Sequence, residues 1–411
     1  MVFKPRQPVE VQDQPVQHLT VKADSAGRVL VEVLDHVVPR EADRPVALHE
    51  PEIGELEERH VLDCLRSGWV SSVGSFVGNF ESALCDITGA SFAIATASGT
   101  AALHLALHSA GVRPGDEVII PALTFVATAN AVSHCGATPH FVDSDEMTLG
   151  LDPVVLNDRL SRVAVSDGNV VTNRETGRKI SAVVPMHTFG LVSQITQLME
   201  IADSFGIPVI EDAAEAVGST IGDRHCGRFG KAGMLSFNGN KIITTGNGGA
   251  ILTDDEELSA LARHLSTTAK VKHPWRFDHD RVGWNYRLPN LNAALGCAQL
   301  ARLPEFLTRK RALHDSYKAE IGRDTRFELV EEVNGSRSNY WLNAVRVKDN
   351  TDEQRESMLE LLHASGYLCR PAWTLMHRLP MYETAPRGDL HTAELLEREL
   401  ICLPSGPRLS P

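Results

Sequence analysis

Cysteine is sparse and unpaired in this chain. Seven are scattered over 411 residues, with no CxxC pair. That excludes a zinc ribbon or a disulfide framework and fits a reducing cytoplasm. The seventeen histidines form no HExxH or other ligand spacing, so no metal is expected. Long apolar runs are missing too. Nothing approaches the roughly 18 residues of a membrane helix, and the opening MVFKPRQPVEVQDQPVQ has no apolar core of a signal peptide. A cytoplasmic protein without a membrane partner is the expectation. Positive charge is in deficit: 40 Lys and Arg against 53 Asp and Glu, a net charge of −13. A nucleic-acid partner is therefore disfavoured. There is no GxGxxG and no GxxxxGK[ST], which counts against dinucleotide and P-loop sites. Repeats and low-complexity segments are absent as well.

What is present is alternation. ELEERHVLDCLRS has helical spacing and stops at Gly68. SFAIAT, GDEVIIP, ATPHFVD, ISAVVPMH and IPVIED read as apolar strands. AALHLALHSAG, ATANAVSHCG and TQLMEIADSFG read as the helices between them. Apolar strands alternating with helices indicate an α/β fold with a mostly parallel sheet covered on both faces. The polar stretch 161–180 reads as an insertion or hairpin. After Asn292 comes one long helix or two, and then RFELVEE, WLNAVRV and the helical TDEQRESMLELLHASG. The expected division is an N-terminal extension over 1–46 with one helix near AGRVLVEVLDHVV, a large domain over 47–300, and a smaller α+β domain over 301–411.

Ligands of open α/β sheets gather at the carboxyl ends of the strands, and three segments sit there. In ATASGTAALHLAL a strand runs through Ser98-Gly99-Thr100 into a helix. This is either an anion site or an ordinary helix cap. In IPVIEDAAEAVGS, Glu211 and Asp212 close an apolar strand and Glu215 follows. A buried carboxylate needs a partner, which a protonated heteroaromatic nitrogen or an arginine would supply. In SFNGNKIITTGNGGAILT, Lys241 stands alone among polar and glycine residues, 29 positions after Asp212 (241 − 212). It is either a solvated loop lysine or an amine held for Schiff-base chemistry.

Together SGTAALHLAL, PALTFVATANAV, EDAAEAVGS, SFNGNKIITTGNGGAILTDD and GWNYRLPNLNAALGCAQL make the chain, over about residues 47–411, resemble the DegT/DnrJ/EryC1/StrS sugar aminotransferases. These are pyridoxal 5'-phosphate enzymes of the aspartate-aminotransferase-like fold type I. The resemblance implies that Lys241 is the cofactor-bearing lysine and that Asp212 pairs with the pyridine nitrogen. It implies that Phe125 stacks on the ring, and that Gly99, Thr100 and Ser236 cradle the phosphate. Glu215 stands where relatives often carry His or Gln near the phenolic oxygen. Asn285, in GWNYR, matches a residue that reaches the phosphate from the partner subunit, so a homodimer with shared sites is implied.

LHEPEIGELEERHVLDCLRSGWVSSVG, VPMHTFG, TTAKVKHPW and RPAWTLMHRLPMY extend the resemblance toward a branch of bacterial surface-glycan biosynthesis, on the way to bacillosamine or legionaminic acid. That branch aminates C4 of a UDP-linked 4-keto-6-deoxy-N-acetyl-hexosamine with L-glutamate as donor. Here Trp69, Val70, Ser71 and Ser72 would border the sugar nucleotide. His273, Trp275 and Trp373 would lie on the acceptor side or pack loops. The alternatives are a dTDP- or GDP-linked acceptor, a pyridoxamine-dependent sugar dehydratase, or a non-catalytic cofactor-binding regulator. Lys241 argues against the dehydratase, in which a histidine replaces it.

Overall fold

A computed structural model describes residues 25–39, 44–168 and 170–410. The remainder of the expected 1–46 extension lies outside the described residues. Among the described residues no helix is long and apolar enough to cross a membrane.

The central sheet follows from the apolar runs. Thr138–Val142, Glu117–Pro121 and Ile180–Val183 pair in parallel. Main-chain bridges Val183–Val209 and Met186–Asp212 carry the same direction to Ile210–Asp212. That strand pairs in parallel with Ala232–Ser236. The last two neighbours are Gly249–Thr253 and, at the edge, Phe92–Thr96. Gly249–Thr253 runs antiparallel to both of its partners, so six strands share one direction and one opposes them. The sheet is mostly parallel, as expected, but the strand that follows the lysine is the exception. A short return through residues 237–248 brings it back beside Ala232–Ser236. A parallel neighbour would need a crossover, usually a helix, to carry the chain back to the other end of the sheet, and residues 237–248 hold no helix.

The strands are apolar on both faces because helices cover both. Gly99–Ser109 is buried along nearly its whole length, Leu103, Leu105 and Leu107 included. Val126–His134 and Ile195–Phe205 follow the second and fourth apolar strands in the chain. The 161–180 stretch holds an antiparallel hairpin, Ala164–Ser166 with Val171–Asn173.

Asn290–Ile321 is a single helix of 32 residues with Pro304 inside it. Its first half packs on the large core through Leu300, Leu303 and Phe306. Its second half enters another core through Leu313, Tyr317 and Ile321. There it meets Ser25–Val37, which buries Leu30 and Leu34, and Asp352–Ala364, which buries Met358 and Leu362. The second core also backs an antiparallel sheet ordered Phe327–Leu329, Asn343–Val347, Leu400–Leu403, Arg370–Pro371. Residue 301 therefore falls within a helix that serves both cores.

Candidate active site

The carboxyl ends of the central strands surround an open cavity of about 220 Å³. Gly99, Thr100, Phe125, Asp212, Glu215, Ser236, Lys241 and Trp373 all line it. Trp69, Val70, Ser71, Ser72, His273, Trp275 and Asn285 do not.

At Phe92–Thr96 the chain turns through Ser98 into Gly99–Ser109. Ser98 caps this helix, its Oγ accepting from the Ala101 N–H at 3.1 Å. An α-helix leaves its first N–H groups without intrahelical acceptors, and here Gly99 and Thr100 border the cavity. A Cβ on Gly99 would lie 2.9 Å from the Ser236 Cβ and 3.0 Å from its Oγ. Only glycine keeps this cradle open.

Strand alternation sends Glu211 and Asp212 to opposite faces. Glu211 faces away from the cavity, where it accepts from the N–H groups of Gly227, Phe229 and Gly230 and lies 3.0 Å from His187. Its partners are a loop and a histidine, with no arginine among them. Asp212 faces the cavity. Its Oδ2 accepts from Thr128 Oγ1 at 2.7 Å and its Oδ1 from the Ala214 N–H at 3.1 Å. Burial holds its carboxyl above the usual value against those two bonds and the nearby Lys241 charge.

Lys241 occupies the return from Ser236 to Gly249. The Phe237 N–H bonds Gly248 O, and the Thr245 N–H bonds Phe237 O. The turn so formed aims the amine inward. Lys241 Nζ lies 3.1 Å from Glu215 Oε1 and 3.7 Å from the centre of the Trp341 indole. The other Glu215 oxygen accepts from the Phe189 N–H at 2.8 Å. Despite its cation, Glu215 is pushed up to about 7, because desolvation outweighs the pull of Lys241. Phe125 is half exposed at the cavity wall, its ring 6.2 Å from that of Trp373, which in turn lies 5.0 Å from Phe189.

The expected residues outside the cavity are held elsewhere. Main-chain oxygens of Trp69, Val70 and Ser71 accept from Asn290 and Leu291 at the start of the long helix. His273 and Trp275 meet edge to face, their ring centres 4.9 Å apart, in an exposed loop. Asn285 is exposed and bridges to Thr267. Conversely, the site contains Thr128, Asn240, Asn247 and Trp341, which sequence reasoning passed over. Thr128 had a faint signal, one helical turn beyond Phe125. Trp341 had none, since it lies 100 residues from Lys241 and in a segment that reads as a plain strand.

These residues fit pyridoxal phosphate. Asp212 is 3% exposed, and the hydrogen-bond partners that hold it are a hydroxyl and an amide. Among the described residues no cation contacts this buried carboxylate, and a protonated pyridine nitrogen would supply one. The Gly99–Ser236 cradle at a helix N-terminus suits a phosphate.

Residues 51–411 match the DegT/DnrJ/EryC1/StrS aminotransferase family. The chain is 37% identical over 361 residues to GDP-perosamine synthase of Caulobacter vibrioides, covering 88% of this chain and 93% of that protein. The aminotransferase TlmJ of Streptoalloteichus hindustanus superposes with a TM-score of 0.80 at 28% identity, over 89% of this chain and 95% of that one. The sugar aminotransferase Spr1654 of Streptococcus pneumoniae, in its PLP form, gives 0.78 at 26% identity over 88% and 94%. With a lysine, two buried carboxylates and a glycine cradle converging on one cavity of this fold, the chain belongs to the DegT/DnrJ/EryC1/StrS family of pyridoxal-phosphate aminotransferases.

Proposed function

We propose that this enzyme transfers an amino group from L-glutamate to the carbonyl carbon of a GDP-linked keto sugar. The observation that carries the aminotransferase reading is the inward amine of Lys241, 3.1 Å from Glu215 and sharing its cavity with Asp212. Bound pyridoxal phosphate supplies the electron sink that lets an amine and a carbonyl exchange. Asp212 holds the charge on the ring nitrogen. Ser236 and the Gly99–Thr100 turn would hold the phosphate, and Phe125 would hold the ring. Lys241 carries the reacting amine and moves protons at its Nζ, with Glu215 beside it to hold one.

The nucleotide rests on similarity. The relative named GDP-perosamine synthase favours a guanosine acceptor over the UDP-linked 4-keto-6-deoxy-N-acetyl-hexosamine that the finer sequence resemblance suggested. The UDP sugar stays as the second reading, supported by the GWVSS and RPAW segments. A homodimer with shared sites also belongs to this proposal. Its support is the loop before Asn285, where Trp275, Phe277 and Val282 are 77%, 78% and 83% exposed. Such a patch suits a covered interface.

The test is kcat/KM with glutamate for GDP- and UDP-linked 4-keto-6-deoxy sugars side by side. A preference for the GDP sugar is expected. Equal values, or a preference for the UDP sugar, would overturn the nucleotide assignment and leave the aminotransferase reading in place.

A further inference from the structure

We propose that Trp341 is a positioning residue for the Lys241 amine and that Lys310 holds Trp341 from behind; this rests on Lys241 being the reacting amine.

Trp341 is fixed at three points. Its main-chain N–H donates to Asn339 Oδ1 at 2.8 Å. Its indole Nε1 donates at 2.7 Å to the carbonyl of Asn240, the residue just before Lys241. Its own carbonyl accepts from Lys310 Nζ at 3.0 Å. The indole face then lies 3.7 Å from Lys241 Nζ, within the range of a cation–π contact. One side chain thus holds both the backbone that bears the lysine and the amine at its end. Asn339 adds a link to the other neighbour of that amine, since its Nδ2 donates to the main-chain oxygens of Glu215 and Val217. The two groups flanking the Lys241 amine are therefore set by one short segment. Within it Tyr340 has φ +48°, a conformation that a bulky residue adopts only under constraint.

Lys310 explains the constraint. It is fully buried on the helix Asn290–Ile321. Its hydrogen bonds go to two main-chain oxygens, those of Trp341 and Ser405. Burial drives its amine well below the ordinary lysine value. Two carbonyls take up its N–H bonds. Lys310 does not line the cavity, so any effect it has on Lys241 passes through Trp341.

The experiment labels the full chain, stripped of cofactor, with an amine-reactive acetylating ester and follows each lysine by peptide mass spectrometry. The exposed Lys231 and Lys348 serve as internal standards. Trp341→Leu removes the indole and is expected to raise Lys241 labelling about tenfold, with Trp341→Phe in between. Lys310→Met is expected to raise it in the same direction and to add little in the double variant, because both changes release one contact. In the cofactor-loaded enzyme Lys310→Met should lower kcat with little change in the KM for glutamate. Unchanged Lys241 labelling in Trp341→Leu overturns the proposal. Full additivity in the double variant overturns the part assigned to Lys310. If Lys310→Met does not fold, Lys310→Leu, which likewise lacks a donor, replaces it in the same cycle. The labelling depends on neither acceptor nor cofactor, so its failure is distinct from failure of the proposed reaction. That reaction would fail instead if borohydride fixed the cofactor on another lysine.

Discussion

Lys241 and Glu215 form an ion pair whose carboxyl is displaced by burial more than by its cation. Glu215 is raised from 4.5 to about 7, so the folded chain binds its proton more tightly than the unfolded chain does. The stability this adds is fully present below about pH 4.5 and is lost as pH rises through 7. Between those values the cofactor-free protein should lose roughly 3 kcal/mol that Glu215→Gln does not lose. Urea denaturation across that range measures it, and parallel curves for the two proteins would refute it. Asp212 has a different task, with its proton-donating neighbours already in place. Asp212→Ala should fold and keep cofactor yet lose about two to three decades in kcat, since an unprotonated ring is a poor electron sink. Near-normal turnover would make Asp212 structural. Borohydride should fix the cofactor on Lys241 alone, and a covalent adduct persisting in Lys241→Ala would refute that assignment.

Glycines at the joins between elements separate close approach from mere turning. A Cβ on Gly249 would lie 2.5 Å from Ser98 O and 2.7 Å from the Gly99 N. This is where the antiparallel strand presses on the phosphate turn. Gly249→Ala should cost about 1–3 kcal/mol through overpacking and, by moving that turn, weaken cofactor retention in gel filtration. Gly68 ends its helix at φ +76° with no atom within 4 Å of an added Cβ. Gly68→Ala should cost about 1 kcal/mol from the left-handed backbone and leave cofactor retention unchanged. Gly68 was legible as a stop because helical spacing ended there. The pressure on Gly249 was not, since it comes from residues some 150 positions away. The direction of Gly249–Thr253 was hidden for a related reason. An apolar run looks the same whichever way its neighbours point.

The arm through 267–287 carries exposed aromatics and returns at Trp284 and Tyr286, stacked at 5.8 Å against each other and packed on His104. Among the described residues Trp275 meets the His273 ring and Phe277 lies 3.9 Å from Lys270 Nζ, yet the two aromatics stay 77% and 78% exposed. If the arm crosses to a second copy, Asn285 serves the neighbour's cavity. Mixing inactive Lys241→Ala with Asn285→Ala should then restore part of the activity, because one of the two sites in a hybrid dimer keeps both residues. Sedimentation of a fully active monomer at working concentration would exclude a shared site.

Sequence alone determined the strand and helix series and the Gly68 stop, and it marked Lys241, the Glu211–Asp212 pair and the Ser98–Thr100 turn as candidates whose roles came from the family resemblance. Each rests on local signals: hydrophobic period, a breaker, or a polar residue closing an apolar run. It also sufficed for the family. Tertiary structure decided which carboxylate faces the cavity, because alternation parts Glu211 from Asp212 only once the strand is seated. It decided that Thr128 holds Asp212 and that Trp341, fixed by Lys310, covers Lys241. Those contacts join residues 84, 100 and 31 positions apart. The helix Asn290–Ile321, shared by the two cores, sets the Lys310–Trp341 contact, packing of Val126–His134 on the large sheet sets Thr128 against Asp212, and no local sequence signal reaches across such separations.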